Sequence, residues 1–301
     1  MEERKTSRKK FWYNDNTVGY IFSLPFIIGF LAFTLIPIAV SMYYSVTDYK
    51  LGQTPAFIGI KNYLELLKDE RFINSVKVTL IYVVTTVPTK LIFALFVAYL
   101  LTQGWRGVTF YRSLYYVPSL IGGSIAVALV WKTIFSRKGL ANTILASLGL
   151  QKLSWLGDPK LSMGILVLMS AWQFGSSMII FAAGLKEIPG SYYEAAEIDG
   201  ANKWQRFLSI TLPCLSPIIL YNLVMQTITA FMAFTQAFVI TQGGPNDATN
   251  FYALYVYNHA FKWSNMGYAS AMSWLMLVLI SVITLILFKS SKFWVFSEAD
   301  Q

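Results

Sequence analysis

Charge is scarce in this sequence: 13% of its 301 residues are Asp, Glu, Lys or Arg, against 55% hydrophobic. Soluble domains run nearer a quarter charged, so an ordinary water-borne domain is excluded. Cysteine is nearly absent. Cys214 stands alone, which rules out an internal disulfide or a cysteine metal cluster and leaves a small buried thiol as the expectation. The single histidine, His259, has no companions at metal-ligand spacing and reads as an ordinary loop residue. No Gly-Lys pair occurs anywhere, so the phosphate-cradling G-x-x-x-x-G-K-[ST] loop is missing, as are G-x-S-x-G, H-E-x-x-H and C-x-x-C. The chain is therefore expected to do no chemistry and to hold no cofactor or metal of its own. A net charge of +9 raises nucleic acid as a partner, but the charges are scattered over loops and the N-terminal tail, and no nucleic-acid role is expected.

Long uncharged apolar sequence is what the chain has instead. Crossing a hydrocarbon core takes about 20 apolar residues as a helix. Residues 161–185 and 207–246 contain no charge at all. Six transmembrane helices are expected, at about residues 18–44, 76–101, 114–134, 162–184, 214–240 and 268–288. The first carries Pro25 and Pro37, which predict a kink or a re-entrant bend. A basic tail, residues 1–17, holds Arg4, Lys5, Arg8, Lys9 and Lys10. The apolar stretch behind it is too long for a cleaved signal and reads as a signal-anchor with the tail in the cytoplasm. Lys and Arg are slightly more numerous in the two tails, the loop holding Arg106 and Arg112, and the loop 185–213 than in the other loops. That bias favours both ends, including the tail 289–301, in the cytoplasm.

One polar segment between two spans carries its own folding instructions. Ser191 followed by Glu194 predicts a capping box, and Gly200 supplies a left-handed stop. A two-turn helix is expected over residues 192–199, and a second short helix from Lys203 to Leu212, ended by Pro213. Such organisation exceeds what a turn needs, and it marks a docking site. A bland alternative is an amphipathic helix on the membrane surface, using Tyr192, Tyr193 and Ile198.

These residues carry a resemblance. Glu194-Ala195-Ala196, three residues, Gly200, nine residues, then Ile210-x-Leu212-Pro213 resembles in full the EAA loop of binding-protein-dependent ABC importer permeases. Phe57-Ile58-Gly59-Ile60-Lys61-Asn62-Tyr63, the run Arg112 to Pro118, Trp131 to Asn142, and Thr241-Gln242-Gly243-Gly244-Pro245-Asn246-Asp247-Ala248-Thr249 are similar to elements of the carbohydrate-uptake branch. The resemblance implies an all-α integral membrane chain of the type I importer permease fold, with a cytoplasmic EAA coupling helix. It implies a second permease subunit, two ATPase subunits that hold the ATP and Mg, an extracellular solute-binding protein and a carbohydrate, in particular an oligosaccharide. The implied setting is the bacterial cell membrane. Glu194, Ala195, Ala196, Asp199 and Gly200 would form the coupling helix, Glu194 and Asp199 capping and charging it, and Arg206 would pair with acids of the ATPase.

Asn222, Gln226, Thr229 and Gln236 fall at i, i+4, i+7 and i+14 of the fifth span, with Ala233 between them. At helical period they share a stripe, which lipid would not tolerate. Helix–helix hydrogen bonding, worth about 0.6–2 kcal/mol per contact, and a lining for a hydroxyl-rich solute both account for it. Phe231 and Phe234 offer stacking faces. The fourth span adds Gln173, Ser176 and Ser177 on one face, and the resemblance places a sugar site on these two spans, at Gln173, Ser177, Gln226, Thr229 and Phe231. Lys90 is a lone charge deep in the second span. Two readings stand for it: snorkelling or bonding carbonyls freed by Pro88, or contact with an anionic substrate or partner subunit. A stand-alone ion-coupled transporter is the alternative function, and it would call for paired intramembrane ions.

Overall fold

The computed structural model describes residues 15–104 and 107–296. Most of the basic tail and Arg106 lie outside the described residues, as does the end of the C-terminal tail. All regular structure among the described residues is helical, apart from two isolated bridges. Helix α1 comprises Asp15–Phe30, a π segment Leu31–Leu35 and Ile36–Ser45. There follow α2 (Lys61–Leu66), α3 (Glu70–Thr102), α4 (Val108–Ile121), α5 (Ile125–Ile134), α6 (Leu140–Ser147), α7 (Pro159–Trp172) and α8 (Gly175–Glu187). The docking segment gives α9 (Gly190–Ile198). Then come α10 (Lys203–Phe231), α11 (Tyr252–Tyr257) and α12 (Met266–Ser291).

Four of these helices are long and apolar enough to cross a membrane, and the bent pairs α4–α5 and α7–α8 bring the spans to six. The third span, expected at about residues 114–134, is bent by 98° between α4 and α5. Gly122 and Gly123 lie at that break, and Ser124 restarts the helix by accepting the Val127 N–H on its hydroxyl at 3.3 Å. The fourth span bends by 44°.

The first span is one continuous helix through the π segment, so of the kink or re-entrant bend expected there the re-entrant bend does not occur. Pro37 and Pro213 share the reason: each follows a π segment. The Ile36 N–H reaches the Leu31 carbonyl and the Leu212 N–H the Phe207 carbonyl, five residues back. The widened turn makes room where a proline ring would press on the previous turn. Pro213 therefore continues α10 instead of ending it. Cys214 beside it is only half-buried. The fifth span, expected to reach residue 240, ends at Phe231, breaks, and resumes in a π segment Ala237–Thr241.

The chain forms two compact units. One gathers the described residues up to Glu65 with His259–Trp274, the other Leu66–Asn258 with the described residues from Leu275. In the first unit Asn62 donates to the carbonyls of Ser45 and Thr47 at 2.9 and 2.8 Å, and the Tyr63 hydroxyl bonds the Ser45 hydroxyl at 2.9 Å. The Asn-Tyr pair singled out in the sequence thus ties off α1. His259 is no loop residue: it sits in a π segment, its ring against Trp263 and Tyr268 at 4.5 and 4.7 Å. The large α1 side chains, such as Phe22, Phe26 and Phe33, are exposed, as a lipid-facing helix allows.

In the second unit α3 is the axis, and α7, α8 and α10 pack on it. Its Tyr82, Val83, Val87, Leu91, Ala94 and Ala98 are buried against Leu166, Met169, Met178 and Phe181. Alanines at 94 and 98 let the helices approach closely. Asp69 caps α3, accepting the Arg71 and Phe72 N–H groups at 2.9 and 3.1 Å. The same carboxylate accepts the Tyr255 hydroxyl at 2.8 Å. That phenol is pushed up from its ordinary range by burial, with the Asp69 carboxylate adding to the effect, so it remains a donor.

The bends of the third and fourth spans satisfy one another. The Ser119 hydroxyl donates to the Gln173 carbonyl at 3.1 Å and accepts the Ser176 N–H at 3.0 Å. The Gln173 amide donates to the Gly122 carbonyl at 3.3 Å. Side chains at 122 or 175 would collide with Gln173 and with the Tyr115 carbonyl respectively, so glycine is required at both. Replacing Ser119 by Ala removes both of its bonds, and we predict a loss of about 1–3 kcal/mol. The midpoint of unfolding in mixed detergent micelles measures this; an unchanged midpoint would contradict the assignment.

Candidate functional site

Two places in the second unit concentrate the residues singled out by sequence. The first is the docking segment. Helix α9 buries none of its residues, and Ile198 is 88% exposed. The capping box does not form: Pro189 occupies the cap position, the helix starts at Gly190, and Ser191 is already inside the first turn. Glu194 consequently lies past that turn and caps nothing. The stop forms in full. Gly200 has φ +78° and its N–H bonds the Glu197 carbonyl at 3.1 Å, while the Ala201 N–H reaches the Ala196 carbonyl at 2.9 Å. Both bonds of a Schellman motif are present.

Asp199 takes the C-cap place, where its charge opposes the helix dipole instead of favouring it. A capping box the sequence did not reveal starts the next helix, between Asn202 and Gln205. Arg206 pairs with Glu197 at 3.0 Å within the chain, so the expected partnership with foreign acids begins from an occupied guanidinium. The Tyr193 hydroxyl bonds the Thr211 hydroxyl at 2.9 Å. Glu194 and Asp199 make no hydrogen bond or ion pair among the described residues. The result is a rigidly terminated, outward-facing helix with two free carboxylates and small Ala195 and Ala196 between them.

The second place is a cavity of about 200 Å³ beside α3. Lys90 lines it with Gln173, Gln226 and Thr229, as do Tyr82, Thr86, Ser170, Phe234 and Gln236. The fifth-span stripe is not continuous, because the helix breaks at residues 232–234. That break turns Gln236 onto a new segment, yet it still faces the cavity with Gln226 and Thr229.

Three expected lining residues do not reach it. Ser177 is wholly buried behind the bend of the fourth span. Asn222 is buried and donates to the Ile218 carbonyl at 3.2 Å. Phe231 is part of the apolar core; the aromatic ring that lines the cavity is that of Phe234, which packs against Phe238 at 5.1 Å and Tyr257 at 5.0 Å. Tyr82 and Thr86 escaped the sequence reading. They precede Lys90 by two and one helical turns on the same face of α3, and that spacing was available as a signal.

The loop after the break is held from inside the unit. The Thr249 hydroxyl contacts the Thr241 hydroxyl at 2.7 Å and the Gly244 carbonyl at 2.6 Å. Arg71 makes a two-point bond to the Asp247 carboxylate at 3.0 and 2.9 Å. Asp247 thus anchors its turn to the start of α3.

Comparison with known proteins decides the family. The family model described as "Binding-protein-dependent transport system inner membrane component" matches residues 63–293. The chain belongs to that family. This permease is 51% identical over 305 residues to the "Probable ABC transporter permease protein YesP" of Bacillus subtilis, covering 100% of this chain and 97% of that one. It is 32% identical over 296 residues to the "Trehalose/maltose transport system permease protein MalF" of Thermococcus litoralis, covering 97% and 99%. A crystal structure of a bacterial ABC transporter that imports the acidic polysaccharide alginate superposes with a TM-score of 0.80 at 23% identity, over 96% of this chain and 98% of that one. At that identity the likeness speaks for the fold, which is that of a type I importer permease. The permease is a multi-pass transport subunit of a binding-protein-dependent ABC importer, not an enzyme.

Proposed function

We propose that the permease carries an oligosaccharide from an extracellular binding protein to the cytoplasm, powered by ATP hydrolysed on separate subunits. The observation that carries this reading is the cavity, lined by three glutamines, by Tyr82, Thr86, Ser170 and Thr229 with their hydroxyls, and by the ring of Phe234. Amides and hydroxyls both donate and accept, as sugar hydroxyls do, and a ring face suits the apolar face of a sugar. The names of relatives agree with it: besides the trehalose/maltose permease, an "Arabinooligosaccharides transport system permease protein AraP" of Bacillus subtilis is 30% identical over 295 residues.

In this reading a second permease subunit completes the path, and α9, with Glu194, Ala195, Ala196, Asp199 and Gly200, seats in a cleft of an ATPase subunit on the cytoplasmic side. Both termini then lie in the cytoplasm. ATP and Mg belong to the two ATPases. Closure of the ATPase pair draws the docking helices together, which favours the outward-open arrangement of the spans. That is a population shift set by the difference in ATP affinity between two states. Arg206, by holding Glu197, fixes α9 against the start of α10, so that a push on one is felt by the other.

Gly200 tests the coupling role without a steric clash, because no atom lies within 4 Å of where its Cβ would stand. The strain of a left-handed residue is about 1–2 kcal/mol. For Gly200→Asp, which adds a fourth carboxylate beside Glu194, Glu197 and Asp199, we predict normal membrane insertion. Uptake and substrate-stimulated ATPase activity should be lost together in reconstituted importer. Normal stimulated hydrolysis in that variant would refute the coupling assignment.

A further inference from the structure

The cavity contains a feature that a neutral solute does not use. Lys90 is 7% exposed, faces the cavity, and makes no hydrogen bond or ion pair with any described residue. No Asp or Glu lines the cavity. Snorkelling does not explain it, because Lys90 lies well inside α3: the helix runs on to Thr102, about 18 Å further at 1.5 Å per residue. Nor does the ammonium take up a carbonyl released by Pro88, since it bonds no carbonyl of the described chain. Lys132, another lysine set among apolar helices, shows the contrast, donating to the Val239 carbonyl at 3.0 Å. An ammonium set within a span, open to a polar cavity and without a counter-ion in the described chain, marks a transport path.

We propose that Lys90 is a specificity residue for a glycan bearing a carboxylate, a uronic acid residue, which it binds as the counter-ion the protein does not supply. This rests on the carbohydrate-import reading above and adds the charge of the cargo to it. The other lining groups fit the same ligand. The side chains of Gln226 and Gln236 form no hydrogen bond with the described chain, so their amides remain available for ring hydroxyls, and Phe234 adds apolar surface beside them. Carboxylate and ammonium together give a charge-assisted bond, roughly twice as strong as a neutral one. At about 200 Å³ the cavity is below the roughly 300–1,000 Å³ of ordinary ligand pockets. It therefore takes one ring at a time, and the charged ring is the one it can register.

The test uses the whole importer in proteoliposomes, assembled with its own binding protein and ATPases. Probes are uronate di- and trisaccharides, the same compounds with the carboxyl reduced to a primary alcohol, and a sulfated disaccharide. The wild type should import the uronates and discriminate against the reduced forms. Lys90→Met should lose about 10–100-fold in uronate uptake, the fold-change equivalent to one hydrogen bond to a charged group. It should keep the rate for the reduced glycan, and Lys90→Arg should restore uronate uptake. Sulfated glycan imported in place of uronate would overturn the carboxylate assignment. Equal loss on charged and neutral glycans in Lys90→Met would overturn it too, assigning Lys90 to a contact with the second permease. Wild-type import of neutral glycans alone would remove this inference and leave carbohydrate import standing. No glycan import at all would remove both.

Discussion

The bond that most of this arrangement depends on is the one between two interruptions. A helix broken at membrane depth exposes backbone N–H and C=O groups to lipid, where each unpaired group costs several kcal/mol. Here one broken span repairs another. The Ser119 hydroxyl, at the break of the third span, takes one donor and one acceptor from the break of the fourth, and the Gln173 amide returns a bond to Gly122. The two bends can exist only together. Their joint product is a Gln173 side chain fixed at the wall of the cavity, in reach of groups from α3 and α10. Function follows from where the helices fail to be straight.

The docking helix obeys the opposite rule. It is short, buries none of its residues, and is ended by a glycine in the left-handed region with both Schellman bonds in place. A helix that covers nothing in its own chain gains little from burial, and nine residues are too few to be stable by themselves in water. What keeps α9 in shape is its stop at Gly200, the Tyr193–Thr211 bond and the Glu197–Arg206 pair. The last of these is exposed and worth at most about 1 kcal/mol. The economy of these ties suits a surface completed by another protein, as the proposed ATPase contact requires.

Much of this was legible in the sequence, and the limits have physical causes. Uncharged runs announced the spans, and the EAA pattern with Gly200 announced the stop. Reading Ser191 as a cap failed because Pro189, two residues earlier, starts the helix first. Pro37 signalled a kink or re-entrant bend and Pro213 an ending, yet each follows a π segment, and nothing local distinguishes a proline that ends a helix from one that follows a widened turn. The break after Phe231 carries no Gly or Pro. The break at Gln173 is held by Ser119, fifty-four residues away, so no window along the chain contains its cause. Lys90, Gln173, Gln226 and Thr229, which line the cavity, stand out in the sequence as polar groups in apolar spans. Ser177 and Asn222 stand out equally, and only packing shows that they, like the aromatic Phe231, are buried away from the cavity.

The central claim is that a brief helix on the cytoplasmic face receives motion from a separate ATPase. It is tested most directly by a single label. With Cys214→Ser as background and Ala196→Cys as the only thiol, a membrane-impermeant maleimide is applied to sealed vesicles of each orientation. The account predicts labelling only where the cytoplasmic face is outward, and protection when the ATPase subunits are bound. Labelling from the external face, or labelling indifferent to the ATPase, would contradict it.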